Sequence, residues 1–594
     1  MNYTGCPVPW VRRLRGAPLA AMVGLLVGCQ SGEDPGRLGE SPATSSSPPN
    51  ILWIVAEDHS PDLGSYGDSY AITPNLDRFA TEGARFKRAF ATSPVCGPAR
   101  STLITGMYAT TIGSHHMRST AVPPAYVKAF PEWLRAAGYY TSNNAKTDYN
   151  FSPWLATELA RAVREAPLGP WDDSSGDAHW RNREPDQPFF SVINLGVTHE
   201  GQVHLPNDQF AERTRSLTAD QRHDPVSATL PPYYPDTPIV RQSWSRYHDL
   251  VTVMDGQVGE ILAELEADGL AEETVVFFYG DHGRGLPRAK RWAYDSGLQV
   301  PLIVRWPGRL EAGSVRDDLV SFLDFAPTLL SLGRAPVPDH MQGRVFLGED
   351  TEPPPAQLFF TRDRMGETYD RIRGVRDERY KYIRNFEPGL PYAQPIAYVD
   401  KTPMMQEWRR LAADGTLTGP QARFFAKTKP AEELYDTEAD PHEVVNLADE
   451  PAHADRLATM REALEFWVVE TGDLGEVPEA ELVSRFRPDG VPPTTEPPKV
   501  QPQGGTFHGP PQVTITCPTD GATAVFTTDL GDEPRWRLYT WPFWMGDPHL
   551  QAQCGRLGYF DSTIVSYDFD VEMHWVIPDG TTPRRIPGQI QTWR

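Results

Sequence analysis

Asn50-Ile51-Leu52-Trp53-Ile54-Val55-Ala56 is a nearly unbroken apolar run that leads straight into Glu57-Asp58. A strand with one wet face alternates apolar and polar residues. A continuous run of this length is instead a strand buried on both faces, as in a parallel sheet. The pattern recurs along the chain. Thr274-Val275-Val276-Phe277-Phe278-Tyr279-Gly280 leads into Asp281-His282, the run 189–195 is followed by His199, and 300–306 is a fourth. Helical patterns lie between them at 73–83, 99–106, 130–138 and 247–269. This alternation predicts an α/β domain over residues 50–352, a mixed, mostly parallel sheet sandwiched by helices. The polar residues that end the strands then gather along one sheet edge, where such sheets bind ligands.

Outward from this core the texture changes. At 594 residues the chain exceeds what one core can organise. From 353 to 487 alternating stretches at 372–375 and 380–383, a further strand at 433–436 and a helical pattern at 452–471 predict a smaller α+β subdomain. Residues 488–502 are Pro-rich and read as an extended linker. Short strands expected at 512–517, 523–528, 549–554 and 564–569 suggest a β-sandwich over 503–576. Residues 577–594 carry no pattern.

The N-terminus has Arg12, Arg13 and Arg15 ahead of an apolar run at 19–27, the layout of an export signal and too short to cross a bilayer comfortably. It ends Leu25-Leu26-Val27-Gly28-Cys29, which resembles a bacterial lipobox. That resemblance implies a signal peptide at 1–29, a lipid anchor on Cys29 and a flexible tether at 30–49. With Gln30 rather than Asp after the Cys, it implies a bacterial outer-membrane lipoprotein on the periplasmic or cell-surface side. Of the remaining cysteines, Cys517 and Cys554 can form a disulfide within one small domain of an exported protein. The 56 basic and 79 acidic residues give a net charge of −23. This argues against a nucleic-acid binder but leaves an anionic small substrate open, because a pocket can be locally positive.

The third cysteine lies in Pro94-Val95-Cys96-Gly97-Pro98-Ala99-Arg100-Ser101-Thr102-Leu103-Ile104-Thr105-Gly106. Pro98 suits the first turn of a helix, whose free N–H groups then face an anion beside Cys96. The run matches the C-x-P-x-R signature of the type I sulfatases, of the alkaline phosphatase superfamily. The resemblance covers about 49–472. It implies that Cys96 is oxidised by a formylglycine-generating maturase to formylglycine, whose hydrate is the nucleophile, and that Arg100 orients it. One hydroxyl takes the sulfuryl group, and deprotonation of the other expels sulfate by carbon–oxygen cleavage.

The same resemblance implies a Ca²⁺ ion held by Glu57, Asp58, Cys96, Asp281 and His282. Three carboxylates converging at strand ends also call for a cation on electrostatic grounds. Glu57 stands where the family has Asp, and His282 is not a favoured calcium ligand, so a contact of His282 with the nucleophile or substrate is the other reading. Lys146, after Gly138-Tyr139-Tyr140-Thr141, is similar to the family's second signature, but Asp148 replaces its His. His199 matches the family's central His, a donor for the leaving oxygen. Lys290 stands where sulfatases carry a sulfate-binding Lys, with Arg288 and Arg291 as competitors. The His115-His116-Met117-Arg118 segment is either a substrate contact or ordinary packing. Glu57-Asp58-His59-Ser60-Pro61 looks like a bacterial subgroup near the N-sulfoglucosamine sulfohydrolase-like enzymes, and 504–529 resembles the chitobiase/β-hexosaminidase C-terminal module. The expectation is a sulfatase of sulfated carbohydrates. The rivals are a phosphonate or phosphate monoester hydrolase of the same superfamily, and an inactive glycan-binding lipoprotein.

Overall fold

A computed structural model describes residues 48–151, 169–531 and 534–572. The signal segment, nearly all of the expected tether and the tail from 573 lie outside them. Among the described residues no helix is long and apolar enough to cross a membrane.

The apolar runs form the centre of an eight-stranded sheet. Its strands are β1 (Asn50–Ala56), β2 (Ala84–Phe90), β3 (Tyr140–Asn144), β4 (Asp173–Ser175), β5 (Phe189–Leu195), β6 (Thr274–Gly280), β7 (Gln299–Arg305) and β8 (Val315–Ser321), in the order β4-β3-β5-β1-β6-β7-β2-β8. The pairs β3–β5, β5–β1 and β1–β6 are parallel, whereas β7 runs against both β6 and β2. Successive residues of β1 serve opposite faces. Leu52, Ile54 and Ala56 enter a core with α1 (Pro74–Glu82) and α4 (Pro238–Ala267). Ile51, Trp53 and Val55 enter a second core with α2 (Cys96–Thr105), α3 (Phe130–Ala136) and α5 (Phe325–Leu332). Helices thus cover both faces, which is why the strands lack alternation.

Thr237 caps α4 through its hydroxyl, with Pro238 in the first turn, so this helix starts nine residues before its expected apolar stripe. Gly280, at the end of β6, is required by close approach: a Cβ there would lie 2.2 Å from the His59 carbonyl oxygen. β1 and β6 can therefore deliver Asp58 and Asp281 side by side.

The next segment forms an antiparallel sheet, β12-β11-β10-β9, from β9 (Leu358–Arg362), β10 (Ile372–Arg376), β11 (Tyr380–Asn385) and β12 (Glu432–Asp436). The helix α6 (Ala454–Glu470) packs on it through Met460, Leu464 and Trp467, in a core joined by Tyr108 and Leu323 of the first domain.

Two further sheets follow. One is β13 (Lys499–Gln501), β15 (Gln512–Thr516) and β18 (Phe543–Trp544). The other contains β14 (Gly505–Phe507), β16 (Thr523–Thr527), β17 (Arg537–Leu538), β19 (His549–Gly555) and β20 (Val565–Val571). Their inner faces share Val500, Val513, Ile515, Phe526, Leu550 and Phe569. β13 lies inside the stretch expected as linker, because Val500 is fully buried in this core. Cys517 and Cys554 are joined as a disulfide.

Candidate active site

Three chain segments meet at the C-terminal ends of β1 and β6. Asp58 follows β1 in a left-handed conformation, φ 50°, that Asp tolerates better than most residues. This turn aims its N–H at Asp281 Oδ1, 2.9 Å away. Cys96 opens α2, is buried, and lies with Sγ 3.1 Å from His282 Nε2 and 3.9 Å from Asp58 Oδ1. His282 Nε2 is 3.2 Å from Asp58 Oδ1. The other ring nitrogen, Nδ1, is 2.9 Å from the Gly283 carbonyl oxygen. A carbonyl only accepts, so Nδ1 carries a proton and Nε2 faces the cluster.

Asp58, Cys96, Asp281 and His282 therefore place ligand-type atoms within 4.8 Å of one another, all buried. This donor set suits a divalent cation: two carboxylates, a ring nitrogen fixed by its outer hydrogen bond, and the position-96 side chain. Arg100, on α2, reaches the same cluster. Its Nε donates to Asp281 Oδ2 at 3.0 Å and its Nη1 to Asn194 Oδ1 at 2.8 Å, while Nη2 is buried without a partner among the described residues.

Glu57 is outside this donor cluster. Its carboxylate is 2.9 Å from Lys146 Nζ. Asp148 adopts φ 48° in the loop after β3 and is not part of the cluster either.

Lys290 is almost fully buried, with Nζ 2.8 Å from both Asp58 oxygens and 3.0 Å from Glu200 Oε1. Burial works against its charge, but Asp58, Cys96 and Glu200 outweigh that and hold its pKa well up. Burial likewise opposes charge on Asp58 and Asp281. The cations beside them, Lys290 and His282 for the first and His282 and Arg100 for the second, keep both well below the usual carboxylate range. His282 is pushed up to about 10, against its burial, by Asp281, Cys96 and Asp58.

Arg291 and Arg288 part ways. Arg291 forms a two-pronged pair with Glu200, at 2.8 and 2.6 Å. Arg288 turns away between the rings of Tyr233 and Tyr294 and donates to the carbonyls of His442 and Glu443. Half-buried His199 caps the single turn Glu200–Val203, and its Nδ1 accepts from the Gly201 N–H at 3.3 Å. The neutral ring then carries its proton on Nε2, the form that can donate. His115 and His116 are buried against each other, with ring centroids 4.3 Å apart, and take no part in the donor cluster.

Sequence reasoning missed two members. Glu200 is buried, donates its N–H to Asp58 Oδ2 at 2.7 Å, and ties Lys290 to Arg291. Asn194, at the end of β5, fixes Arg100. The only sequence signal for Glu200 is its place beside His199.

Comparison with known proteins follows the same lines. A family model described as Sulfatase matches residues 49–335. An ulvan-active sulfatase of Formosa agariphila is 39% identical, over 87% of this chain and 91% of that protein. The N-sulphoglucosamine sulphohydrolase of Homo sapiens is 28% identical, over 72% of this chain and 91% of that protein. Among solved structures, the phosphonate monoester hydrolase of Agrobacterium radiobacter shares the fold, with a TM-score of 0.50 at 18% identity over 71% of this chain and 96% of its own. Kinship along nearly the whole length with the Formosa enzyme, and the motif of Cys96 and Arg100 within it, place this chain in the sulfatase family: it is a sulfuric ester hydrolase.

Proposed function

We propose that the protein is an exported sulfatase that removes sulfate from carbohydrates, with position 96 as nucleophile after conversion to formylglycine by a maturase. The observation that carries this reading is the buried Cys96 at the start of α2, 3.1 Å from His282 and within one donor cluster with Asp58 and Asp281. A sulfate ester needs a strong nucleophile, positive charge on the sulfuryl oxygens and a proton for the leaving oxygen. The hydrated aldehyde would supply the attacking hydroxyl and a second hydroxyl whose deprotonation frees sulfate. Asp58, Asp281, His282 and position 96 would hold a divalent cation, Ca²⁺ in this proposal, which polarises the sulfuryl oxygens when bound.

The chain's own residues do the rest. Arg100, braced by Asp281 and Asn194, keeps its free Nη2 for the position-96 oxygen. Lys146, paired with Glu57, and Lys290, paired with Asp58 and Glu200, neutralise the sulfuryl group. Glu57 and Glu200 fix these two ammonium groups. His199 gives its Nε2 proton to the departing sugar oxygen.

The carbohydrate class comes from the relatives, one active on ulvan and one named for N-sulphoglucosamine. Export as an outer-membrane lipoprotein rests on the 1–29 pattern, and the Cys517–Cys554 disulfide suits an oxidising compartment. The test is sulfate release from ulvan oligosaccharides and from N-sulfoglucosamine, using protein whose Cys96 conversion is verified by peptide mass. We expect release from one of these by the wild type and none by Cys96→Ala, with aryl sulfate turned over faster than aryl phosphonate. Wild-type-like release by Cys96→Ala, or a preference for the phosphonate, would overturn the reading.

A further inference from the structure

The sheet β13-β15-β18 has an outer face that the catalytic account does not use. In an antiparallel pair, residues directly opposite share a face. Lys499 faces Thr516, Gln501 faces Thr514, and Gln512 faces Trp544. The intervening Val500, Val513 and Ile515 are buried in the sandwich core, and Phe543 stacks on Phe526 with centroids 4.4 Å apart. The outer face is therefore the stripe Trp544, Gln512, Thr514, Gln501, Thr516 and Lys499, exposed except for half-buried Thr514. Along β15 it runs about 13 Å, four residues at the strand rise. Trp544 is 54% exposed, and Trp541, three residues earlier, is 66% exposed.

The mixture of groups says what such a face fits. A protein-docking patch buries contiguous apolar area. Here no aliphatic residue faces outward: one indole is followed by amides, hydroxyls and an ammonium. A pyranose has the matching chemistry, with an apolar C–H face that lies on an indole and a rim of hydroxyls that bond to Gln and Thr. Lys499 at the far end complements a sulfate or carboxylate. This ammonium favours an anionic sugar over a neutral one.

We infer that the outer face of β13-β15-β18, anchored by Trp544, is a carbohydrate-binding site for a sulfated polysaccharide, separate from the catalytic centre. The ligand class rests on the proposed function; the site itself does not. The sandwich is tied to the first domain by the Thr523 hydroxyl, which donates to Glu132 at 2.6 Å, and by Arg556, which donates to the Pro123 carbonyl at 3.1 Å. A polymer held on this face is thereby kept beside the enzyme that acts on it, which raises its effective concentration at the active site.

The test uses the full chain in affinity gels containing ulvan, chemically desulfated ulvan or heparin, with hydrolysis of an aryl sulfate as a parallel readout. We expect retention by at least one sulfated polymer, weakened about tenfold in Trp544→Ala as for an aromatic anchor. The same loss is expected in Trp544→Gln, with partial rescue by Trp544→Tyr. Aryl sulfate kcat/KM should be unchanged in all of them. On sulfated polymer, KM rises while kcat stays. Wild-type retention by the Trp544 variants, or no retention of the wild type by either sulfated polymer, overturns the inference even if aryl sulfate is hydrolysed. Equal retention by ulvan and desulfated ulvan overturns the preference for anionic sugar. Loss of aryl sulfate hydrolysis in the wild type would count against the proposed function alone.

Discussion

Glu57 and Asp58 are adjacent carboxylates with different duties. Asp58 sits among the cation-type donors, whereas Glu57 reaches away to hold Lys146. Asp58→Asn should therefore abolish bound metal, while Glu57→Gln keeps the metal stoichiometry and loses about tenfold in kcat/KM, the usual effect of removing an outer partner. Elemental analysis alongside kinetics checks this, and loss of metal in Glu57→Gln would contradict it. Glu200 is the other hidden carboxylate. Removing its charge leaves Arg291 and Lys290 short of a buried partner, so Glu200→Gln should cost about 3–5 kcal/mol in denaturant unfolding. Burial raises the Glu200 pKa, but Lys290 and Arg291 bring it from 4.5 down to about 2. A carboxylate lowered in the fold contributes stability above its unfolded pKa and loses it as pH falls through the folded one. The wild type should thus lose stability between about pH 4.5 and 2 more steeply than Glu200→Gln. That Cys96, Arg100, Lys290 and His199 gather around Asp58 and Asp281 was legible because each sits in a recognisable local pattern. The duties of Glu57 and Glu200 were not, since side-chain reach and a partner 91 residues away leave no local trace.

β1 and β6 carry the site, and their packing explains how firmly. Trp53 points from β1 into a cage of Phe130, Phe190, Tyr279 and Phe325, with ring centroids 5.0–5.7 Å away. Trp53→Ala should lower stability by about 3–5 kcal/mol in chemical denaturation, as a large-to-small core change does. Gly280→Ala acts on the site instead. Its Cβ would force the His59 carbonyl back and move Asp58 with it, so activity should fall well beyond any change in melting temperature; unchanged kcat/KM would contradict this. These two strands could be read from sequence because burial on both faces makes them continuous apolar runs. β3 could not: Ser142 and Asn143 are buried through side-chain hydrogen bonds, Ser142 to Ser191 at 2.9 Å, not through apolar character. β2 interrupts its apolar residues with Arg85, Lys87 and Arg88. The reversed direction of β7 is set by its neighbours β6 and β2, and composition does not encode strand direction.

At the scale of the molecule, one chain combines a sulfatase domain, a subdomain whose core it shares, and a sandwich fixed to its side. Where the subdomain meets the first domain, burial holds His115 and His116 neutral, each lowered from 6.5 to about 4. The unfolded chain binds those protons first, so stability should drop as pH falls from about 6.5 to 4 and level off with respect to these groups below that. His115→Asn/His116→Asn should flatten the drop in denaturant midpoints; an unaltered slope would assign it elsewhere. The succession of sheets was readable from changes in texture, but β13 was not, because it is a short strand at the end of a Pro-rich stretch. The central claim is that position 96 acts as an aldehyde hydrate and not as a thiol. Preparations made with graded amounts of maturase, each assayed for its aldehyde fraction by peptide mass and for its aryl sulfate turnover, test this most directly. Turnover rising in proportion to the aldehyde fraction, and vanishing with it, is the expected result. Undiminished turnover in protein whose Cys96 is entirely thiol would contradict it.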